Sequence, residues 1–258
     1  MNLFQLEGRR ALVCGSTQGI GLASAMMLAD QGAEVILMAR NEEALKDLCK
    51  EHERFVGYIP ADFSKVENVR HAISSYPQKN KIDILVNNSG GPASGPIVEA
   101  DLSQFIAAFE QHLLCNHILV QSLLPFMKER RFGRIINIIS TSIKLPLPNL
   151  GVSNTVRAAV GNWSKTLANE LAQYDITVNN VLPGATNTQR LQSIIHNKAN
   201  KLQTEISHIN NEMIAEIPMG RFADAKEIAA AVVFLASDAA AYITGINIPV
   251  DGGRTGCL

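Results

Sequence analysis

The sequence predicts an α/β protein: a single Rossmann-like, doubly wound parallel sheet of about seven strands with helices on both faces. Three observations predict it. Short β-branched apolar runs alternate with longer stretches of helical period along all 258 residues. The runs are almost continuously apolar, as strands buried on both faces are, and the helical stretches supply the crossovers that parallel strands need. A glycine-rich turn stands between the first strand and the first helix, where such sheets bind ligands.

In chain order, strands are expected at residues 11–14, 35–39, 55–59, 82–86, 134–139, 177–182 and 246–250. Helices are expected at 21–30, 42–52, 66–75, 103–128, 152–174 and 225–236. No linker, repeat or low-complexity tract divides the chain, so residues 1–258 read as one domain. Residues 187–216 depart from the rhythm: they are polar and mixed, with Leu191, Ile194, Ile195, Leu202, Ile206, Ile209, Met213 and Ile214 at roughly helical spacing. Insertions after a strand of such a sheet cover the ligand crevice, so a helical substrate lid is expected; a packing or subunit-contact helix pair is the other reading.

Composition excludes several classes. With 24 acidic and 23 basic residues the formal charge is −1, and 47% of residues are hydrophobic. A nucleic-acid partner would call for a basic excess and a disordered chain for few apolar residues; neither describes this sequence. No run of about 20 apolar residues offers a membrane span, and the first ten residues lack the apolar middle of a secretory signal. A cytoplasmic protein with neither membrane nor nucleic-acid partner is the expectation. Cys14, Cys49, Cys115 and Cys257 are scattered, and the six histidines do not cluster with them or with carboxylates, so no metal site is expected.

The first chemical signal is Cys14-Gly15-Ser16-Thr17-Gln18-Gly19-Ile20-Gly21, a Gly-x-x-x-Gly-x-Gly turn opening directly into a helix. Glycines permit a tight turn and close backbone approach to a pyrophosphate, and the helix start offers unpaired N–H groups at the positive end of its dipole. After the second strand stands Arg40. A carboxylate there would suit the 2′-hydroxyl of NAD, whereas arginine suits a 2′-phosphate, so NADP(H) is favoured over NAD(H). A solvated helix-start arginine is the plainer alternative.

The glycine turn, with six more motifs in order, resembles the short-chain dehydrogenase/reductase family over nearly the whole chain. Asp62 and Phe63 in Pro60-Ala61-Asp62-Phe63 match the family's adenine-side segment. Asn87-Asn88-Ser89-Gly90 matches Asn-Asn-Ala-Gly, with Ser89 in place of alanine. Asn116 falls on a helix asparagine, Ser140 on the catalytic serine, and Pro183, Gly184 and Thr188 on the nicotinamide-side loop. The segments 217–222 and 250–253 resemble the 3-oxoacyl acyl-carrier-protein reductases within the family. The resemblance implies a cofactor site made of Gly15, Ser16, Thr17, Gly19, Ile20, Gly21, Arg40, Asp62, Phe63, Asn88, Ser89, Gly90, Arg157, Pro183, Gly184 and Thr188. It also implies a small carbonyl or acyl thioester substrate and a homotetramer or homodimer. In that assembly the helices around 103–128 and 152–174 would meet, although Val160, Trp163, Leu167 and Leu171 form a stripe that the sheet could equally bury.

One departure bears on function. Where the family places its active-site tyrosine and, four residues on, lysine, this chain has Ser153 and Arg157; the register is held by Ala158-Ala159 and by Thr177-Val178-Asn179. A phenol is acidic enough to be tuned for proton donation; an aliphatic hydroxyl is far weaker, and a guanidinium shuttles no proton. Losing a general acid costs on the order of 10²–10⁴ in rate unless another group or water substitutes. Ser140, Asn116, Ser153 and Arg157 are the candidate catalytic residues, with Ser140 foremost; Lys144 and His112 read more readily as a loop lysine and a packing residue. Three functions stay open: an NADP-dependent carbonyl reductase or alcohol dehydrogenase with atypical proton delivery, an impaired family member binding NADP(H) as ligand or sensor, and an enoyl reduction or dehydration.

Overall fold

Side chains along β1 (Arg10–Cys14) point alternately into two apolar layers, Ala11 and Val13 into one, Leu12 and Cys14 into the other. The computed structural model describes residues 2–77 and 79–257. Six further strands extend β1: β2 (Glu34–Ala39), β3 (Phe55–Pro60), β4 (Ile84–Asn87), β5 (Gly133–Ile138), β6 (Ile176–Pro183) and β7 (Asn247–Val250). All pair in parallel, in the order β3-β2-β1-β4-β5-β6-β7. The order reverses between β1 and β4, and at such a switch point the loops leaving the two strands diverge and open a crevice.

Helices cover both faces, as expected. Layer one holds α1 (Gly19–Asp30), α2 (Glu42–Glu51) and α9 (Ala225–Ala236), which contribute Leu28, Leu45 and Val232 to one core. Layer two holds α3 (Val66–Ser75), α5 (Cys115–Arg130) and α6 (Gly151–Leu171), which contribute Ile73, Leu119 and Leu171 to the other. The stripe on α6 goes to the sheet: Val160, Leu167 and Leu171 are buried within the chain. Local signals set the starts. Asn41 caps α2 by accepting from the Ala44 N–H, and Asp224 with Glu227 forms a capping box on α9.

The helix expected at 103–128 is two helices. Between α4 (Leu102–Phe109) and α5 the backbone widens into a π-helical turn, Glu110–Leu114. Such turns are frequent at functional sites, and this one carries His112, which is 3% exposed. Residues 187–216 are helical as expected, forming α7 (Gln189–Leu202) and α8 (Ile206–Ala215). The pair packs around Leu191, Ile195, Ala199 and Ile209 and leaves Leu202 and Ile206 exposed.

Across the carboxyl half of the sheet runs a ladder of asparagines in register. Asn87 donates to Asn137 (2.8 Å), Asn137 to Asn180 (3.0 Å) and to Ser164 of α6 (2.9 Å), and Asn180 to Asn247 (2.8 Å). Buried amides are costly unless paired, so this chain of bonds locks β4 to β7 and to α6 directly beneath the loops that carry the site. Among the described residues no helix is long and apolar enough to cross a membrane.

Candidate functional site

The loops at the carboxyl ends of β1, β4, β5 and β6 converge on one crevice, and most of the residues singled out from the sequence lie along it. At the β1 end, Gly15 (φ +59°) and Gly19 (φ +57°) adopt the left-handed conformation that favours glycine. A side chain on Gly21 would overlap the carbonyl oxygen of Gly15, and one on Gly15 would stand 2.7 Å from the Asn88 amide nitrogen. That amide donates to the Cys14 carbonyl at 3.2 Å, tying the turn to the loop after β4. Ser16 is buried beneath the turn, and Ile20 packs on the core.

This end fits a dinucleotide. No side chain caps the start of α1 and its first turn carries no acid, so its amino-terminal N–H groups face the bare glycine turn together with Thr17. The Thr188 methyl packs over Gly19, bringing the loop after β6 to the same place. Asp62 accepts the Ser64 backbone N–H (3.0 Å) and hydroxyl (2.8 Å), and these bonds hold its carboxyl below the ordinary carboxylate range. Phe63 turns its ring into the core, leaving only its backbone to the crevice. Arg40 is exposed; among the described residues it makes no ion pair within 4 Å and stacks on no ring, and its charge helps hold the Asp62 carboxyl low.

At the other end Ser140 follows β5, and its Oγ accepts the Ser142 N–H (3.1 Å), which leaves the hydroxyl proton free to be donated into the crevice. At the end of β5 a small cavity, with room for no more than about one water, is lined by Asn87, Asn88, Ser89, His112, Asn116 and Arg157, with Ile138 and Val160 as its apolar wall. Arg157 does not point wholly toward a ribose: its Nη1 donates to the carbonyls of Ile138 and Ile139, both at 2.9 Å, while its Nε is buried without a partner. Burial and the neighbouring Arg190 lower its pKa to about 10, so it stays charged at neutral pH. Ser153 lies one turn earlier on α6, partly exposed, and does not line the pocket. Gly90 accepts from the Gln111 amide at 2.7 Å, and Gly184 packs against Asp251 so closely that a side chain there would stand 2.7 Å from its Cα. Pro183 ends β6 just before it.

His112 was read from the sequence as a packing residue and is instead part of the site. Its Nδ1 is 2.8 Å from the Ser89 hydroxyl, and its Nε2 is buried without a partner. The signal was present in the pairing of a serine where alanine is usual with a histidine four residues before Asn116, but only the fold joins them. Burial, with the charges of Arg157 and Arg190, lowers the His112 pKa to about 2, so the ring is neutral. The unfolded chain binds a proton on this ring below pH 6.5 and the folded chain does not, so its contribution to stability is complete above about pH 6.5 and falls as pH drops. We expect about 2 kcal/mol to be lost between pH 6.5 and 5 on this account. Urea titrations at both values should show it, and His112→Gln should remove that share of the acid sensitivity.

Comparison with known proteins places the chain among reductases. A family model described as enoyl-(acyl carrier protein) reductase matches residues 15–255. The NADPH-dependent reductase BacG of Bacillus subtilis is 34% identical over 255 residues, covering 96% of this chain and 98% of that protein. The 3-oxoacyl-[acyl-carrier-protein] reductase FabG of Vibrio cholerae is 34% identical over 253 residues, with 96% and 98% covered. The crystal structure of YwfH, an NADPH-dependent reductase involved in bacilysin biosynthesis, superposes with a TM-score of 0.90 at 31% identity, covering 98% of this chain and 100% of that one.

Proposed function

The chain belongs to the short-chain dehydrogenase/reductase family, and from that premise we propose that it is an NADP(H)-dependent oxidoreductase that reduces a carbonyl, or oxidises the alcohol, without a phenolic acid. The observation that carries this reading is the small cavity at the end of β5, two residues before Ser140. Six of its eight lining residues are polar, Asn87, Asn88, Ser89, His112, Asn116 and the buried Arg157 guanidinium, against the apolar Ile138 and Val160. A scaffold relieved of chemistry would be free to fill such a space with apolar side chains.

A reduced nicotinamide, when bound, supplies a hydride to the carbonyl carbon. Gly15, Gly19, Gly21, Thr188 and the start of α1 would hold the diphosphate, Asp62 the adenine side, and Arg40 the 2′-phosphate. The Ser140 hydroxyl donates to the substrate oxygen and stabilises the negative charge that develops there. Neutral His112 and Asn116 line a path along which water can bring the proton, and the fixed charge of Arg157 favours the oxyanion. Arg157 and Ser153 are positioning residues in this reading, and α7–α8 would close over the crevice as a substrate lid. The assembly we expect is a homotetramer or homodimer; exposed Ile97, Val98, Leu102 and Ile106 offer it an apolar face at α4.

NADPH consumption measured over β-ketoacyl thioesters, keto acids, sugars and quinones tests the function. Turnover on at least one class is expected; tight NADPH binding with no turnover on any would overturn it. For the cofactor, Arg40→Asp should weaken NADPH binding by about 10–100-fold, the loss of a charged hydrogen bond, and narrow the preference over NADH. Equal changes for both cofactors would contradict the role of Arg40.

A further inference from the structure

We propose that Arg157 and Arg190 together form a carboxylate subsite beside Ser140, so that the substrate is a carbonyl compound bearing a carboxylate a few bonds from the reacting carbon. This rests on the reductase reading and names the substrate class of the same site. Of the twelve arginines in the chain, eight make ion pairs. A ninth, Arg9, stacks over Phe132. Among the described residues the other three, Arg40, Arg157 and Arg190, make no ion pair within 4 Å and stack on no aromatic ring, and all three lie along the crevice; of them only Arg40 has a carboxylate near enough to feel its charge, that of Asp62. Arg40 is accounted for at the 2′-phosphate end. Arg157 and Arg190 are left at the other.

Their geometry is that of a prepared clamp. Arg157, on α6, is fixed through Nη1 by the carbonyls of Ile138 and Ile139, immediately before Ser140. Arg190, on the second residue of α7, is fixed by the Pro92 carbonyl, which accepts from Nη2 at 2.6 Å, across the mouth of the crevice; that same nitrogen faces Gly91, with its second N–H to spare. Gly91 lies between them: a Cβ built there would stand 3.1 Å from Arg190 Nη2 and 3.7 Å from Arg157 Nη2, so both nitrogens converge on one small space kept open by the missing side chain. Each guanidinium is thus oriented by backbone, with N–H groups to spare, which is how a carboxylate is held by two forks. The two like charges also lie close together: burial and the charge of Arg190 lower the Arg157 pKa, and burial lowers that of Arg190. An anion between them would relieve both the repulsion and the unpartnered Arg157 Nε.

A cofactor diphosphate has the same chemistry and lies near, since Thr188 touches Gly19. The substrate is favoured because Arg157 is anchored on the residues leading to Ser140 rather than on the glycine turn.

The test is Arg190→Gln, on a partly exposed helix start where folding should tolerate it, with short 2- and 3-oxo acids compared with their methyl esters. Wild type should prefer the acids by at least tenfold in kcat/KM, and the variant should lose at least tenfold of that preference, through KM. Binding is read separately. Malonate should raise the melting temperature of the NADP⁺-saturated wild type, dimethyl malonate should not, and the variant should lose the malonate effect. NADPH affinity, measured by nicotinamide fluorescence, should change less than threefold. Equal losses for acid and ester would overturn the proposal. So would NADPH binding weakened tenfold with the acid preference intact, which would assign the pair to the diphosphate. If no carbonyl of either charge is turned over, the reductase reading fails, and the malonate arm alone still decides the subsite. Arg157→Lys, checked for folding by circular dichroism, should retain part of the acid preference that Arg157→Gln loses.

Discussion

Replacing Asn137 by alanine is expected to destabilise the fold by about 4 kcal/mol, more than any other single polar substitution near the site. Asn137 is 1% exposed and is the junction of the asparagine ladder, bonded at once to Asn87, Asn180 and Ser164. Removing it strands two buried polar groups, the Asn87 amide nitrogen and the Asn180 amide oxygen, each costing about 1–3 kcal/mol when left unpaired; it also takes one of the two bonds of Ser164, which keeps the Val160 carbonyl, and opens a cavity. Asn247→Ala, at the exposed end of the same ladder, removes one bond and leaves one group, the Asn180 amide, without that partner, so it should cost about 1–2 kcal/mol. Urea denaturation of the two variants gives the comparison, and equal losses would mean that the ladder does not act as a buried unit.

The second large effect is chemical. Ser140→Ala should lower kcat/KM by about 10²–10³ while leaving the NADPH dissociation constant within a few-fold of wild type. Its hydroxyl has a fixed acceptor role toward the Ser142 N–H, which orients the proton outward, so alanine removes the donor without disturbing the turn that carries it. On the proposed reading Ser140 is the direct donor to the substrate oxygen and no phenol stands in for it, so its loss is expected to go unbuffered. A drop of less than tenfold would transfer that role to another group, His112 or Asn116 first.

Much of the fold was legible in the sequence because strands buried on both faces must be apolar throughout. The runs at Val35 and Ile135 announce β2 and β5 for that reason alone. Gly15, Gly19 and Gly21 were legible because each meets a conformational or steric demand that only glycine satisfies. The register of Ser153 and Arg157 on one helix was equally readable, and α6 contains both. What was not legible depends on convergence in space. The π-helical turn at Glu110–Leu114 has no periodic signature that distinguishes it from the helices on either side, so the stretch read as one helix. The Ser89–His112 bond joins a loop after β4 to that turn, and the two Arg157 bonds to β5 carbonyls divert a side chain that the motif alone assigns to the cofactor. Arg190 drew no attention in sequence because a helix-start arginine is common on surfaces; its meaning comes from facing Arg157 across Gly91.

The most direct test of carbonyl reduction without a phenolic acid is the NADPH oxidation rate of the wild-type chain beside that of the Ser153→Tyr, Arg157→Lys double variant, on the same carbonyl panel. The expected result is wild-type turnover at an ordinary enzymatic rate, about 1–100 s⁻¹ on the best substrate, with no hundredfold gain from restoring the tyrosine and lysine. A silent wild type that becomes active only in the double variant would contradict it, and would make the chain a binder of NADP(H) whose chemistry had been lost at residues 153 and 157.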